Sequence, residues 1–547
     1  MQAIGTMALM DLVHQFMDIT PLAQWLLLLV PLATLLLLHR RRRRRGIIVD
    51  DDKHRRSTKS LPPSPPALPI IGHLHLVGEH PQASLRDLAA EHGHGGLMLL
   101  RLGAVPNLVV TSPRAAQAVM RTHDHVFASR PPSTVTDGLV YGSSDIGFSP
   151  YGEHWRQLRK LVTTHLLTVK KVQSYRLARK EEVRLLMNKL HEAAAASTAV
   201  DMSETLNTFA NDIVCRAVSG KFFRQEGRNK LFRELIEANS LLAGGFNLEE
   251  YFPGLAKSLS IFTRFMSNKV YETHKRWDNL LEKIIGDHER QSSKHGHSVG
   301  ADQEEESDFI DVLLSVQQDY GITRDHIKAV LMDMFGAGTD TSSLVLELAM
   351  AELMRNPQLM TKLQAEVRNI TPKGQEMVEE ENLTSMAYLR AVIKETLRLH
   401  PPAPLLLPHL SMADCGVDGY TVPSGTRVII NAWAIGRDVE SWENAEEFMP
   451  ERFMEGGSAA AIDFKGKDFQ FVPFGAGRRI CPGVNFGLAT VEIMLANLVY
   501  CFDWGLPSGM EKEDIDMTEV FGLTVRRKEK LFLVPKPRAT VQAMQAY

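Results

Sequence analysis

Phe474 to Gly483 read FGAGRRICPG, a run that places one cysteine after two glycines and two arginines and before a Pro-Gly pair. Gly475 and Gly477 permit tight turns and the close approach of a flat ligand. Arg478 and Arg479 put positive charge beside Cys481, which favours its thiolate and offers partners for carboxylates on the ligand. Pro482 and Gly483 suit the entry to a helix continuing through Ala489–Val499, whose N-terminal dipole also favours an anion. A lone cysteine is ordinarily a small buried hydrophobe. This combination instead describes a sulfur ligand for a flat cofactor that carries acids. A second segment, FGAGTDTS from Phe335 to Ser342, falls inside a helical stretch. Glycine there costs ~1 kcal/mol relative to alanine, so Gly336 and Gly338 imply either close helix packing or a local widening that admits a small ligand. Asp340 and Thr341 then bring an acid and a hydroxyl into a mostly apolar helix, where buried polar groups need partners. Trp155 and Arg159 in HWRQLRK stand at i, i+4 and share a helix face. Glu395 and Arg398 in KETLR do so at i, i+3, a pairing that Glu181 and Arg184 repeat and that means little alone.

The elements that must carry these residues are mainly helical. Helical stretches ended by Pro or Gly recur at 176–196, 323–355 and 385–399. Strand-like runs are short and lie near the two ends of the body: LMLLRL and NLVVT around a Gly103–Pro106 turn, then RVII and KLFLV. The polar, turn-rich segment Gln291–Ser307 is expected to be a mobile surface loop. The expected fold is one large, mainly α domain with small β-sheets, spanning residues 76–547.

Ahead of it lie two different stretches. From Ile19 to Leu38 the chain is almost wholly apolar, long enough at 1.5 Å per residue to reach ~30 Å. Arg40 to Arg45 follow without a break, while no Lys or Arg precedes them. A cleaved signal peptide would carry its charge on the other side. The order therefore predicts an uncleaved single-pass transmembrane helix over residues 1–39, with the body on the cytosolic side. Residues 40–75 hold the basic run and the proline-rich LPPSPPALPIIGHL, a stiff hinge that orients the body at the bilayer. Ten of the 62 Lys+Arg and five of the 65 Asp+Glu lie in residues 1–60, so the remainder carries 52 against 60. That acidic balance argues against nucleic acid as a partner. Cysteines at 215, 415, 481 and 501 show no paired spacing, which fits a reducing compartment.

The cysteine segment resembles the ligand loop of cytochromes P-450, with Phe474, Gly477, Arg479, Cys481 and Gly483 at the pattern positions. The likeness extends from Leu61 through the proline hinge, the helix motifs and the ending FGLTVRRK, and is to plant microsomal enzymes of the A type. It implies haem b, with the Cys481 thiolate on the iron and Arg479, Trp155 and Arg159 on its propionates. It implies that Asp340 and Thr341 deliver protons to bound O2. Glu395, Arg398 and Arg452 of MPERF would form a buried acid–Arg–Arg brace. Where the family often has an arginine that reaches a propionate after PPAPLLLP, this chain has His409, the cofactor-binding candidate at that position, whose imidazole is ordinarily neutral near pH 7.

The activity so implied is insertion of one oxygen atom of O2 into a small hydrophobic substrate. No GxGxxG nucleotide fingerprint is present, so electrons from NADPH would arrive through a cytochrome reductase on the endoplasmic reticulum membrane, with cytochrome b5 as a second donor. The cations Arg156, Lys160, Lys465 and Lys467 would receive that partner's acidic face, or form an ordinary solvated surface. The family's substrate-contact regions map to Ser133–Asp145, Leu241–Phe246, Met334–Ala337, Ala403–Leu407 and Phe521–Thr524, all poor in charge. Resemblance favours indole-type metabolites, with terpenoid and aryl molecules next. A haem-thiolate isomerase or dehydratase, and a non-catalytic haem-binding membrane protein, are the alternative classes.

Overall fold

The computed structural model describes residues 60–220, 227–244, 247–253, 260–294 and 307–538. The apolar run and the basic run lie outside the described residues, as does most of the segment Gln291–Ser307. Leu61–Tyr547 forms one compact unit. The proline-rich stretch packs onto its first strand, because the amide of Leu99 donates to the Pro63 carbonyl at 2.8 Å and that of His73 to the Arg101 carbonyl at 2.7 Å.

Helices dominate, and six of them position the site: α1 (Glu153–Leu161), α2 (Met202–Ser219), α3 (Arg228–Gly244), α4 (Arg324–Arg355), α5 (Ala387–Leu399) and α6 (Val484–Cys501). The long α4 is started by Thr323, whose hydroxyl accepts from the amide of His326 while the His326 ring accepts from that of Thr323. Both ends of this box satisfy amides that the first helical turn cannot. From Ala349 to Met354 every residue is buried, so α4 crosses the core rather than lying on it. Helix α6 is apolar and long enough to pass for a membrane span, yet two-thirds of it is buried inside the unit. Its hydrophobicity is that of a core helix enclosed by neighbours on all sides.

The main sheet has four strands in the order β1 (Leu97–Leu102), β2 (Val105–Val110), β4 (Arg427–Ile430), β3 (His409–Leu410). β1 and β2 form the hairpin expected around Gly103, and β2 runs parallel to β4 with Asn107 opposite Arg427. A second sheet joins Val200–Asp201, Phe532–Pro537 and Phe502–Gly505. The strand-like runs near the two ends of the sequence thus lie in different sheets, except that RVII pairs with NLVVT. Large buried side chains of the helices close one continuous core that includes Phe232, Trp277 and Phe335, with Phe232 stacked on Phe335 at 3.8 Å between centroids.

Candidate active site

A cavity of about 390 Å³ lies between α4, α6, α1 and the segment before Cys481, and its wall includes Cys481, Phe474, Thr341, Asp340, Trp155, Arg159, His409 and Arg479. The cysteine loop closes on itself, since the Cys481 amide donates to the Phe474 carbonyl at 2.9 Å. Gly475 and Gly477 both take left-handed φ, at 67° and 64°. A Cβ on Gly477 would lie 1.9 Å from the carbonyl oxygen of Met120, so the loop can sit here only with glycine at that position. Gly483 caps α6, and its amide is placed to favour negative charge on the Cys481 sulfur.

The arginines of the motif do not act on the sulfur as the sequence suggested. Arg478 turns outward to Asp124 at 3.2 Å. Arg479 turns inward, donating to the carbonyls of Ala128 (2.7 Å), Ile146 (3.2 Å) and Ser149 (2.6 Å). The positive charge felt by Cys481 comes from Arg159, whose Nη2 donates to the Ile480 carbonyl at 2.6 Å. Burial nevertheless pushes the Cys481 thiol up. A stable thiolate therefore needs a cation supplied by whatever binds there, as a metal ion does.

Beside the cysteine stands a wall of positive charge. Arg130, which the sequence reading missed, is buried and donates to the carbonyls of Gly147 (2.9 Å), Leu407 (2.7 Å) and Pro408 (2.9 Å). Burial pushes its guanidinium down to about 9 and that of Arg479 down to about 10. Arg159 is lowered in the same direction and by the same cause. Asp145 is the carboxylate whose charge acts on Arg130 and Arg479. Arg130 and Arg479 face that carboxylate and Arg159 faces Cys481, so the three guanidiniums and one aspartate of this wall leave two positive charges over, the number that two propionates would neutralise. Sulfur ligand, surplus cations and a largely apolar remainder fit a haem.

Two of the expected propionate partners are placed differently. The Trp155 indole N–H donates to the Ile146 carbonyl at 3.1 Å, and the Arg479 guanidinium lies 4.2 Å above its ring. Trp155 thus supports Arg479 rather than aiming its own donor into the cavity. His409 bonds through Nδ1 to the Phe127 carbonyl at 2.8 Å, and burial with the charge of Arg130 pushes it down to about 3. It is neutral, its proton lies on Nδ1, and its other nitrogen can only accept. Arg130, anchored on the two carbonyls before His409, supplies the cation that His409 does not. Its sequence signal was an arginine between Ala128 and two prolines.

On the α4 face the two glycines divide the two readings between them. A Cβ on Gly338 would meet Val214 of α2 at 2.8 Å, which is close helix packing. One on Gly336 would meet nothing within 4 Å, and Gly336 lines the cavity. Helical hydrogen bonding is unbroken across α4, so room is made by the missing side chain and not by a bulge. Thr341 donates its hydroxyl to the Ala337 carbonyl at 2.7 Å. The Asp340 carboxylate is held by Arg526 at 3.0 Å, and Arg526, 38% exposed, also reaches Glu237 of α3 at 4.0 Å.

Behind the site the acid–Arg–Arg brace is assembled as expected. Arg398 grips Glu395 with two bonds of 2.8 Å, and Arg452 adds one of 3.0 Å to the same carboxylate. All three are buried. The remaining guanidinium donors go to carbonyls of residues 436–447, so the cluster ties α5 to the loop that leads to the cysteine.

The chain matches the family model described as Cytochrome P450 over residues 62–534. It is 58% identical to the indole-2-monooxygenase of Zea mays over 87% of this chain and 88% of that protein. It is 56% identical to the indolin-2-one monooxygenase of Zea mays over 87% and 89%. Among solved structures, a zebra fish cytochrome P450 with progesterone superposes with a TM-score of 0.69 at 26% identity, covering 84% of this chain and 99% of that one.

Proposed function

The chain belongs to the cytochrome P450 family and is a haem-thiolate monooxygenase that uses O2 and electrons from a redox partner; we propose that its substrate is a small, uncharged molecule of the indole type. The carrying observation is the cavity wall away from the arginines, where Leu139, Val140, Val214, Ile236, Leu406 and Leu523 offer apolar surface to a flat ring. The similar maize enzymes named for indole and indolin-2-one act on compounds of this class. The test is a screen of indole, indolin-2-one, a sesquiterpene and a simple arene in microsomes that contain the reductase. Hydroxylation confined to the last two overturns the substrate reading; turnover without reductase would indicate an isomerase or dehydratase instead.

Bound in the cavity, the haem supplies activation of O2 and oxidation of the substrate. The residues of the chain do the rest. Cys481 would ligate the iron, and the Gly483 amide and the start of α6 stabilise negative charge on its sulfur. Arg130, Arg159 and Arg479 hold the cofactor's carboxylates, pre-oriented by the carbonyls that already fix them. Gly336 leaves space beside α4 for the oxygen molecule. Thr341 holds a hydroxyl at that space, and Asp340 with Arg526 links it to the surface, a path by which protons enter. Apolar walls exclude water so that protons arrive only by this route.

Thr341→Ala is expected to keep the haem spectrum and NADPH consumption but to lower product per NADPH roughly tenfold, with peroxide rising. Tenfold is ~1.4 kcal/mol between competing barriers, within reach of one hydrogen bond. NADPH, peroxide and product measured side by side decide it. Unchanged coupling would move the task to Ser342 or Arg526.

We further propose that one N-terminal helix holds the enzyme in the endoplasmic reticulum membrane with its catalytic body in the cytosol, and that an NADPH–cytochrome reductase and cytochrome b5 are its donors; the apolar run followed by Arg40–Arg45 supports the orientation. Arg156, Lys160, Lys465 and Lys467 are all exposed, although Arg156 is paired with Glu153 at 2.5 Å and Lys465 with Asp463 at 3.4 Å. Protease added to intact microsomes should digest the body. A protected body would reverse the orientation drawn from Arg40–Arg45.

A further inference from the structure

The turn Asp145–Ser149 carries much of the arginine wall, since its carbonyls at Ile146, Gly147 and Ser149 receive Trp155, Arg479 and Arg130. Two acids hold that turn. Asp333 of α4 accepts from the amides of Ile146 at 2.7 Å and Gly147 at 3.4 Å. Asp145 folds back to accept from the Phe148 amide at 3.0 Å. A Cβ built on Gly147 would lie 3.3 Å from Asp145 Oδ2 and 3.5 Å from Asp333 Oδ1, so both carboxyl groups crowd one side of this glycine. They stand within reach of a hydrogen bond between them. Asp145 is fully buried, and its Oδ1 meets no N–H or hydroxyl donor. Two carboxylates cannot bond to each other without a proton, and a buried acceptor without a donor is costly.

We propose that Asp333 and Asp145 share one proton, carried by Asp333, and act as a positioning pair that pins the Asp145–Ser149 turn to α4 and so holds the arginines in register for the cofactor's acids. Charge decides which partner keeps the proton. Burial raises the Asp145 carboxyl as well, but Arg130 and Arg479 face it and favour its anion, with Arg159 and the neutral His409 further along the same wall. Asp333 sees chiefly burial and the negative charge of Asp145, and its carboxyl is pushed well above the usual range. Its proton also sets the charge balance: were Asp333 ionised, the wall would lose one of the two surplus charges that match the cofactor. The sequence shows no sign of this pair, since its members lie on different elements 188 positions apart.

A folded carboxyl raised above its unfolded value stabilises the fold fully below the unfolded value, near ~3.9, and loses that contribution as pH rises toward the folded one. Asp333→Asn keeps both an N–H donor for Asp145 and an oxygen for the Ile146 amide but cannot titrate. The stability of this variant relative to wild type should therefore climb with pH, by up to about tenfold in the folding equilibrium per pH unit between the unfolded and the folded value of Asp333. Arginines of the wall titrate in both proteins and cancel in the difference. Independently of any variant's folding, infrared difference spectra of the holoenzyme at pH 7.5 should show a protonated-carboxyl C=O band that shifts in D2O. Asp333→Asn should lack it. A pH-independent stability difference, or no such band in wild type, overturns the proposal and leaves the haem and substrate assignments standing, since neither depends on this proton.

Discussion

Cys481→Ser abolishes the red-shifted Soret band of the reduced carbon monoxide complex and brings hydroxylation to background. The thiol is already pushed up by burial, and the alcohol that replaces it is a far weaker acid, beyond what the Gly483 amide and Arg159 can compensate. Without a sulfur anion the chain would offer the haem no strong electron-donating ligand. Haem should still be retained in part, because the three arginines proposed to bind its acids are untouched. Among the described residues no other cysteine lines the cavity: Cys215, Cys415 and Cys501 are all buried elsewhere. Spectra and haem content of purified wild type and variant decide the matter. Persistence of the band in the variant would place the ligand elsewhere and undo the site.

Glu395→Ala is expected to cost about 3–5 kcal/mol and to leave little holoprotein at 37 °C. The substitution strands Arg398 and Arg452, both buried, without the carboxylate they share. Removing one partner of a buried cluster is far more damaging than the cluster's net worth, because the remaining charges stay desolvated. Against a typical total of 5–15 kcal/mol this is a large fraction. The contrast is Glu181, 51% exposed and paired with Arg216 at 2.8 Å, where alanine should cost ~0–1 kcal/mol. Denaturant midpoints of the two variants, with bound haem measured in each, test the difference. Equal, small losses would show that the backbone carbonyls around the arginines and not Glu395 hold the brace.

That pair of acids also shows how far local sequence carries. Glu395–Arg398 and Glu181–Arg184 have the same spacing, yet Arg398 closes on its neighbour in the core while Glu181 bonds Arg216 of another helix. Helix periodicity fixes which side chains share a face; burial, which sets their worth, depends on what packs against that face. The glycines of α4 teach the same lesson, since Gly336 and Gly338 look alike in sequence and only Val214 across the helix interface tells packing from opening.

The sequence by itself determined what local chemistry dictates: a mainly helical body, the short strands of its sheets, and a cysteine loop whose glycines, proline and arginines permit one geometry. Those features act over a few residues, through φ preferences, helix entry and hydrophobic period, so they are legible without a fold. Tertiary structure alone decided where the arginines point. Arg479 faces carbonyls and not the sulfur, Trp155 gives its N–H to Ile146, His409 is neutral, and Arg130 takes up the cation's place beside it. It alone joined Asp333 to Asp145 and Asp340 to Arg526. Electrostatic partners are chosen by distance and desolvation in three dimensions, and neither is a property of position along the chain.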